Sequence, residues 1–347
     1  MNKFLLKIIS LSLLIVIILI SVNISIDPAK LFNNNYYEKM INIIKNNNHI
    51  TNVMNYDDRL FNRKFAENLS EKYNILVIGS SRSKLIKNEY FANVKLFNAS
   101  VNGASIEDLI SIYQLYKSYD LLPDSIILGI DPWIFNDNNN QERWKTLKKE
   151  YYSFFNKSDQ QIKKSNKNIT QILSLSYYQE SIMSLFKYGF KFEPTSTKDK
   201  FNKFNTILND GSLVYSKKFR DLSLKEVDKQ ASEYINGDIY SIEKFNEISK
   251  TKIDLFEKLI FDIKQNKIRI KFIISPYHPI VYKEIYNNID YKNVLKTEKY
   301  ITEFSIKNNI KKVGSFDPKR NNFDNSYFYD GMHCNEKGII QLLSNLK

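Results

Sequence analysis

A single cysteine, Cys334, sits in a chain of 347 residues, so no internal disulfide framework is available and the fold must rest on core packing. Histidine is almost as scarce. His49, His278 and His333 lie far apart in sequence, which argues against a metal site, and His49 falls in a polar Asn-rich stretch that needs no special role. The chain has no His-Glu-x-x-His segment, no paired cysteines and no Gly-rich phosphate loop, so no metal and no cofactor is expected. It also lacks an internal repeat and a low-complexity linker. The net charge is +13, yet Lys and Arg are interspersed with Asp and Glu and form no compact basic block, which disfavours nucleic acid as a partner. An anionic membrane face or an acidic envelope polymer suits such a surface better, because long-range attraction needs only net charge. A compositional bias toward Lys, Asn, Ile and Tyr together would produce the same charge with no partner at all.

What the chain does have is 43% hydrophobic residues, enough for one large domain or two small ones. Phe4 to Ile26 is an apolar run interrupted only by Lys7, Ser10, Ser12, Ser21, Asn23 and Ser25, close to the roughly 20 residues that span a bilayer. It reads as a membrane anchor over residues 1–26. Lys3 and Lys7 would also suit a cleaved signal peptide, but no small-x-small cleavage site follows. The same two lysines put the N-terminus in the cytoplasm by the positive-inside rule and the rest of the chain outside. Residues 27–70, rich in Asn and Tyr, are expected to be a stalk with a helix or two that holds the domain off the membrane.

From residue 71 to 347 strands and helices alternate. Apolar runs predict buried strands at Asn74 to Ile78, Val94 to Asn98, Ser125 to Ile130, Ile268 to Ser275 and Lys312 to Asp317. Helical periodicity is expected over Ile106 to Tyr119, about Ile242 to Asn266, around Tyr291 to Asn308, and from Glu336 onward. This order predicts an α/β domain with a mostly parallel sheet. Residues of about 136–250 are polar, hold helical patches such as Ile169 to Tyr188, and read as a helical insertion.

The chemistry-bearing residues fall at the ends of those strands, where reactive groups gather in an open parallel sheet. Gly79-Ser80-Ser81 follows the first strand, and Asp330-Gly331-Met332-His333 sets a carboxylate and an imidazole on one short turn. A serine hydroxyl needs a base and a group to orient that base, and Ser81, His333 and Asp330 can fill those roles. Ser81 would begin a helix whose free backbone N–H groups could hold an oxyanion. Each motif also has a plain structural reading: serine is a good helix N-cap, and the Asp-Gly-Met-His turn could simply lead into a helix capped by Asn335.

These two blocks resemble those of the SGNH or GDSL hydrolases, in which an N-terminal Gly-x-Ser and a C-terminal Asp-x-x-His carry the catalytic triad. Gly79-Ser80-Ser81 matches the first with serine in place of the usual central aspartate, which makes Ser81 the implied nucleophile, and Asp330-x-x-His333 matches the last. The resemblance runs from about Asn74 to Lys347 and implies a three-layer flavodoxin-like fold. The exported, anchored layout is similar to the branch containing the teichoic acid D-alanyl transfer protein and the alginate O-acetylation proteins.

The middle blocks depart from the family pattern. Asn98-Ala99-Ser100-Val101-Asn102-Gly103 places Ser100 where a glycine N–H is usual, with Asn98, Asn102 and Gly103 as further oxyanion or substrate-binding candidates. Where Gly-x-Asn is usual, Gly129-Ile130-Asp131-Pro132 offers Asp131, whose charge would repel an oxyanion. Arg82 is a candidate for an anionic acceptor, His278 a rival base, and Trp133 and Phe135 either sugar-facing or core residues. The resemblance implies an acyltransferase that carries an acyl group, acetyl by expectation, on Ser81 to an envelope or capsular glycan or teichoic-acid-like polymer. A membrane-bound O-acyltransferase would be the partner that supplies it. An esterase with the same triad, and a non-catalytic glycan-assembly protein, are the alternatives.

Overall fold

The computed structural model describes residues 3–28, 30, 34–53, 56–157, 172–188 and 193–346. The chain opens with α1 (Lys3–Ile26), a helix of 24 residues whose most apolar 18-residue stretch has mean hydropathy 2.9, long and apolar enough to cross a membrane. There follow α2 (Asn34–Lys45), β1 (His49–Thr51) and α3 (Asp58–Glu67). These are not a stalk. Tyr36, Tyr37, Met40 and Ile41 of α2 and Phe61 and Phe65 of α3 are buried in the main core, and the Phe65 ring stacks on Phe97 at 4.0 Å. Asn35 and Asn42 of α2 occupy the opposite face, so an amphipathic helix looked polar by composition alone.

β2 (Ile75–Ile78), β3 (Leu96–Asn98) and β4 (Ser125–Gly129) coincide closely with the predicted strands, and α4 (Ile106–Ser118) with the predicted helix. With β8 (Arg269–Ile274) and β9 (Lys311–Gly314) they form a five-stranded sheet in the order β3-β2-β4-β8-β9, every pair parallel. Counted within the sheet, that order is 2-1-3-4-5, a doubly wound arrangement whose reversal falls beside β2. Side chains alternate between two cores. Leu76, Ile78, Ile126, Leu128, Phe272 and Ile274 face the larger, under α4 and the Lys250–Gln265 and Lys292–Lys307 helices. Val77, Ile127, Ile273 and Val313 face the smaller, closed by Leu85, Ile86 and the Glu336–Ser344 helix. The domain is therefore a mixed α/β structure with a parallel sheet covered on both faces.

The segment 136–250 is not wholly helical. Beside α5 (Lys148–Phe154) and the Leu175–Tyr188 and Leu224–Tyr234 helices it carries β5 (Thr195–Thr197), β6 (Thr206–Ile207) and β7 (Leu213–Val214). β5 and β6 pair antiparallel with β1, and β7 with β6, in a four-stranded sheet of order β5-β1-β6-β7. Strands of two or three residues are too short for a two-residue alternation to register. The helix expected from Ile169 is described from Leu175, and residues 169–171 lie outside the described residues. The helix expected from Ile242 begins at Lys250, because Ser249 caps it by accepting from the Lys252 amide.

Candidate active site

β2 ends at Ile78, and the next three residues turn sharply where β2 and β4 run closest. A Cβ on Gly79 would lie 2.6 Å from Ser83 Oγ and 3.1 Å from Gly129 Cα, so only glycine fits without a shift. Ser80 is fully buried, and its hydroxyl accepts from the Arg82 amide as the cap of a single 3₁₀ turn, Ser81–Ser83. The helix expected to start at Ser81 is thus only one turn, which limits any helix-dipole contribution. Ser81 itself is partly exposed, and among the described residues its amide is not spent on another hydrogen bond.

Residues 329–335 form the facing loop. The Tyr329 amide donates to the His333 carbonyl, and Asp330 Oδ1 accepts from the amides of Met332 and His333, both at 2.8 Å. Gly331 permits this tight turn: a Cβ there would come within 2.9 Å of both the Tyr234 ring and Val281. The Gly331 carbonyl accepts from the His278 amide, which ties the loop to the end of β8.

The loop presents His333 to Ser81. The separation of Ser81 Oγ from His333 Nε2 is 2.9 Å, and that of His333 Nδ1 from Asp330 Oδ2 is 2.8 Å. The order is serine, imidazole, carboxylate, with each contact at hydrogen-bond distance. Burial acts to raise the Asp330 pKa, but the His333 ring and the two loop amides outweigh it and bring it down to about 2. Tyr215 lies edge-on to the His333 ring at 6.0 Å and is itself in edge contact with Tyr329. Cys334, next to the histidine, is buried, and its thiol is pushed up to about 12 by that burial, so it stays protonated and unreactive.

Arg82 and Asp131 differ from expectation. Arg82 is 1% exposed and unavailable to a solution anion: it donates to Asp131 Oδ1 at 2.9 Å, to the Met332 carbonyl at 3.0 Å, and to the carbonyls of Pro276 and Ser275. Its guanidinium lies 4.2 Å from the Tyr277 ring centroid. Asp131 is held by that guanidinium as a buried ion pair, so its charge is compensated and does not confront an oxyanion.

The amide candidates are also largely occupied. Asn98 Nδ2 donates to the Ser83 and Ile86 carbonyls, and its Oδ1 accepts from the Ser100 amide at 3.1 Å, so Asn98 and Ser100 brace the serine turn rather than face a substrate. The Asn102 amide is held by Asp58 Oδ2 at 2.6 Å. Gly103 has φ +56° and lies among Tyr240, Arg143 and Gln141, on a strand-end turn joined to the serine turn by the Val101 amide and the Gly79 carbonyl. His278 is fully buried, accepts from the Ile280 amide, and sits 3.3 Å from Asp228, away from Ser81 as a base. Trp133 and Phe135 pack as core, with the indole donating to the Ala104 carbonyl.

Several residues near the site carried no recognisable sequence signal. Arg59 makes a two-pronged contact to Asp108 at 2.8 Å on each prong and also pairs with Asp58, which in turn holds Lys84 at the end of the serine turn. Tyr215 and Tyr234 come from the insertion, and Tyr234 donates to the Met332 sulfur at 2.9 Å. Among the described residues no three of His, Cys, Asp and Glu gather as a metal site. Compared with known proteins, the chain matches no family model and no curated sequence.

Proposed function

We propose that this is a membrane-anchored, SGNH-like serine acyltransferase that moves an acyl group, acetyl by preference, onto a glycan of the cell envelope through an acyl-Ser81 intermediate. The observation that carries this reading is the relay from Ser81 through His333 to Asp330, at 2.9 and 2.8 Å. In the first half-reaction Ser81 Oγ attacks the donor's carbonyl carbon while His333 Nε2 takes its proton, and Asp330 steadies the imidazolium at Nδ1. The tetrahedral intermediate collapses, the leaving group departs with that proton, and the acyl group remains on Ser81. A glycan hydroxyl then attacks the acyl carbon, His333 takes its proton and returns it to Ser81 Oγ. The Ser81 and Gly103 amides are the candidate oxyanion donors, and the Arg82–Asp131 pair supports the reading by removing the negative charge that would oppose them.

The apolar α1 helix and the net charge of +13 favour a site held at an extracytoplasmic membrane face, where an acidic polymer and a membrane-borne acyl donor meet. Hydrolysis is the same sequence with water in place of the sugar, so the test must separate them. The full chain in detergent is offered p-nitrophenyl acetate, beside Ser81→Ala and His333→Ala. Wild type should release nitrophenol and carry an acetyl increment on the Ser81 peptide; equal rates in all three would refute the relay. With an acidic polysaccharide added, transfer diverts acetate onto the glycan, whereas an esterase releases it free at an unchanged rate.

A further inference from the structure

The Leu175–Tyr188 helix is amphipathic in an unusual sense: its polar, small-residue face is buried and its apolar face is bare. Tyr177, Ser181 and Ser184, spaced by four and three residues, are buried toward the end of α1. Tyr177 donates to Asp27 at 2.6 Å, Ser181 to Asn23 Oδ1 at 3.3 Å, and Asn23 Nδ2 donates back to the carbonyls of Ile172 and Ser174. Positions rise by four on one helix as they fall by four on the other, so the two helices run antiparallel. Leu19 and Ile20, one turn further back on α1, are half-buried on that same side. The opposite face shows Leu175 at 69%, Met183 at 64% and Phe186 at 86% exposure, interrupted by exposed Gln179 and flanked by exposed Glu180 one turn before Met183, and its apolar end at Met183 and Phe186 has no protein against it among the described residues.

We infer that this helix is a second membrane element, dipping alongside α1 into the bilayer leaflet on the domain's side, with Met183 and Phe186 inserted among the acyl chains. The inference rests on the reading of α1 as a membrane span. With 14 residues the helix is too short to cross. Depth follows from the pairing. Ser21, Asn23 and Ser25 are the polar breaks that follow the unbroken apolar run Leu13 to Ile20, and Ser181, paired with Asn23, lies at that headgroup boundary; Phe186, five residues on, then lies about 7 Å deeper at 1.5 Å per residue. Small and amide side chains between the two helices are the contacts that hold helices together in lipid, where apolar packing gives no preference for protein over acyl chain. The arrangement fixes the domain by two contacts rather than one swivelling tether.

The test uses the full chain with Cys334→Ser, carrying single cysteines labelled with an environment-sensitive fluorophore, in phosphatidylcholine vesicles containing phosphatidylglycerol. Nitroxide lipids bear the quencher either near the top or near the middle of the acyl chain. Labels at Phe186→Cys and at Met183→Cys should be quenched at least half as strongly as one at Leu14→Cys, and more by the shallow nitroxide; Leu14→Cys should favour the deep one, and the solvent-exposed Lys225→Cys neither. If Leu14→Cys is quenched while both helix labels behave like Lys225→Cys, the inference is overturned with the anchor intact, and the apolar stripe belongs to a protein partner. If Leu14→Cys itself escapes quenching, the anchor reading fails and this inference with it.

Discussion

Arg82, the residue after the candidate nucleophile, donates from Nε to the carbonyl of Met332, the residue before the candidate base, at 3.0 Å. The same guanidinium holds Asp131 beyond β4 and the Ser275 and Pro276 carbonyls beyond β8. One side chain thus fixes the distance between the two loops that bring Ser81 Oγ and His333 Nε2 together. Arg82→Lys keeps the charge and loses the fork, so kcat should fall on the order of 100-fold with KM little changed. Arg82→Ala should also cost about 3–5 kcal/mol, because Asp131 is left buried and unpaired. Combining Arg82→Met with Asp131→Leu should restore much of that stability without restoring kcat. Full activity in Arg82→Lys would remove the positioning role.

Ser80 and Ser81 are adjacent, and sequence alone assigns them by analogy; the geometry separates them. Ser81→Ala should abolish turnover, by roughly ten-thousand-fold or more, with an unchanged urea midpoint, since among the described residues Oγ hydrogen-bonds His333 alone. Ser80→Ala should do the reverse: about 1 kcal/mol of stability lost with the turn's cap, and a modest drop in kcat. Equal kinetic effects from the two substitutions would count against Ser81 as the nucleophile.

Acid should loosen the loop before it unfolds the sheet. Asp330 titrates near 2 in the fold against 3.8 ordinarily. A depressed carboxyl stabilises the folded state above its unfolded value, and that contribution, on the order of 2 kcal/mol, drains away as pH falls from 3.8 through 2. Urea titrations of wild type and Asp330→Asn should therefore differ most at neutral pH and converge below about pH 2. A gap that stays constant with pH would mean the carboxylate is not held as described.

The central strands of the parallel sheet were legible because β2, β4 and β8 carry apolar runs that stop at Gly79, Gly129 and Ser275, a pattern fixed by burial on both faces. The relay was legible because its residue types and chain order are unusual together. Other features were hidden for particular physical reasons. Arg82 and Asp131 look like a solvated cation and a misplaced anion until their partnership across the strand ends is known, and contacts separated by 49 residues leave no local trace. The small sheet that joins β1 to the insertion has strands too short for periodicity. The residues of α2 and α3 read as a polar stalk because Asn and Tyr dominate the composition, whereas their Tyr, Met, Ile and Phe side chains share one buried face.

That misreading has a direct experimental consequence. Arg59 of α3 is 2% exposed, pairs with Asp108 at the start of α4, and shares Asp58 with Lys84, so the supposed stalk is wired to the serine turn through buried charge. Burial opposes ionisation of Asp58, yet Lys84 and Arg59 leave its pKa below the ordinary carboxylate value. Arg59→Ala should cost about 3–5 kcal/mol, since buried Asp108 loses its cation and buried Asp58 is left with Lys84 alone. Because the pair is shielded from solvent, that loss should be nearly the same at about 0.1 M and 1 M salt, whereas exposed pairs are screened over that range. Removing residues 27–70 should then leave a chain that no longer unfolds cooperatively, as read by circular dichroism in urea. A truncated domain that keeps its unfolding transition and its esterase activity would return this segment to the status of a tether.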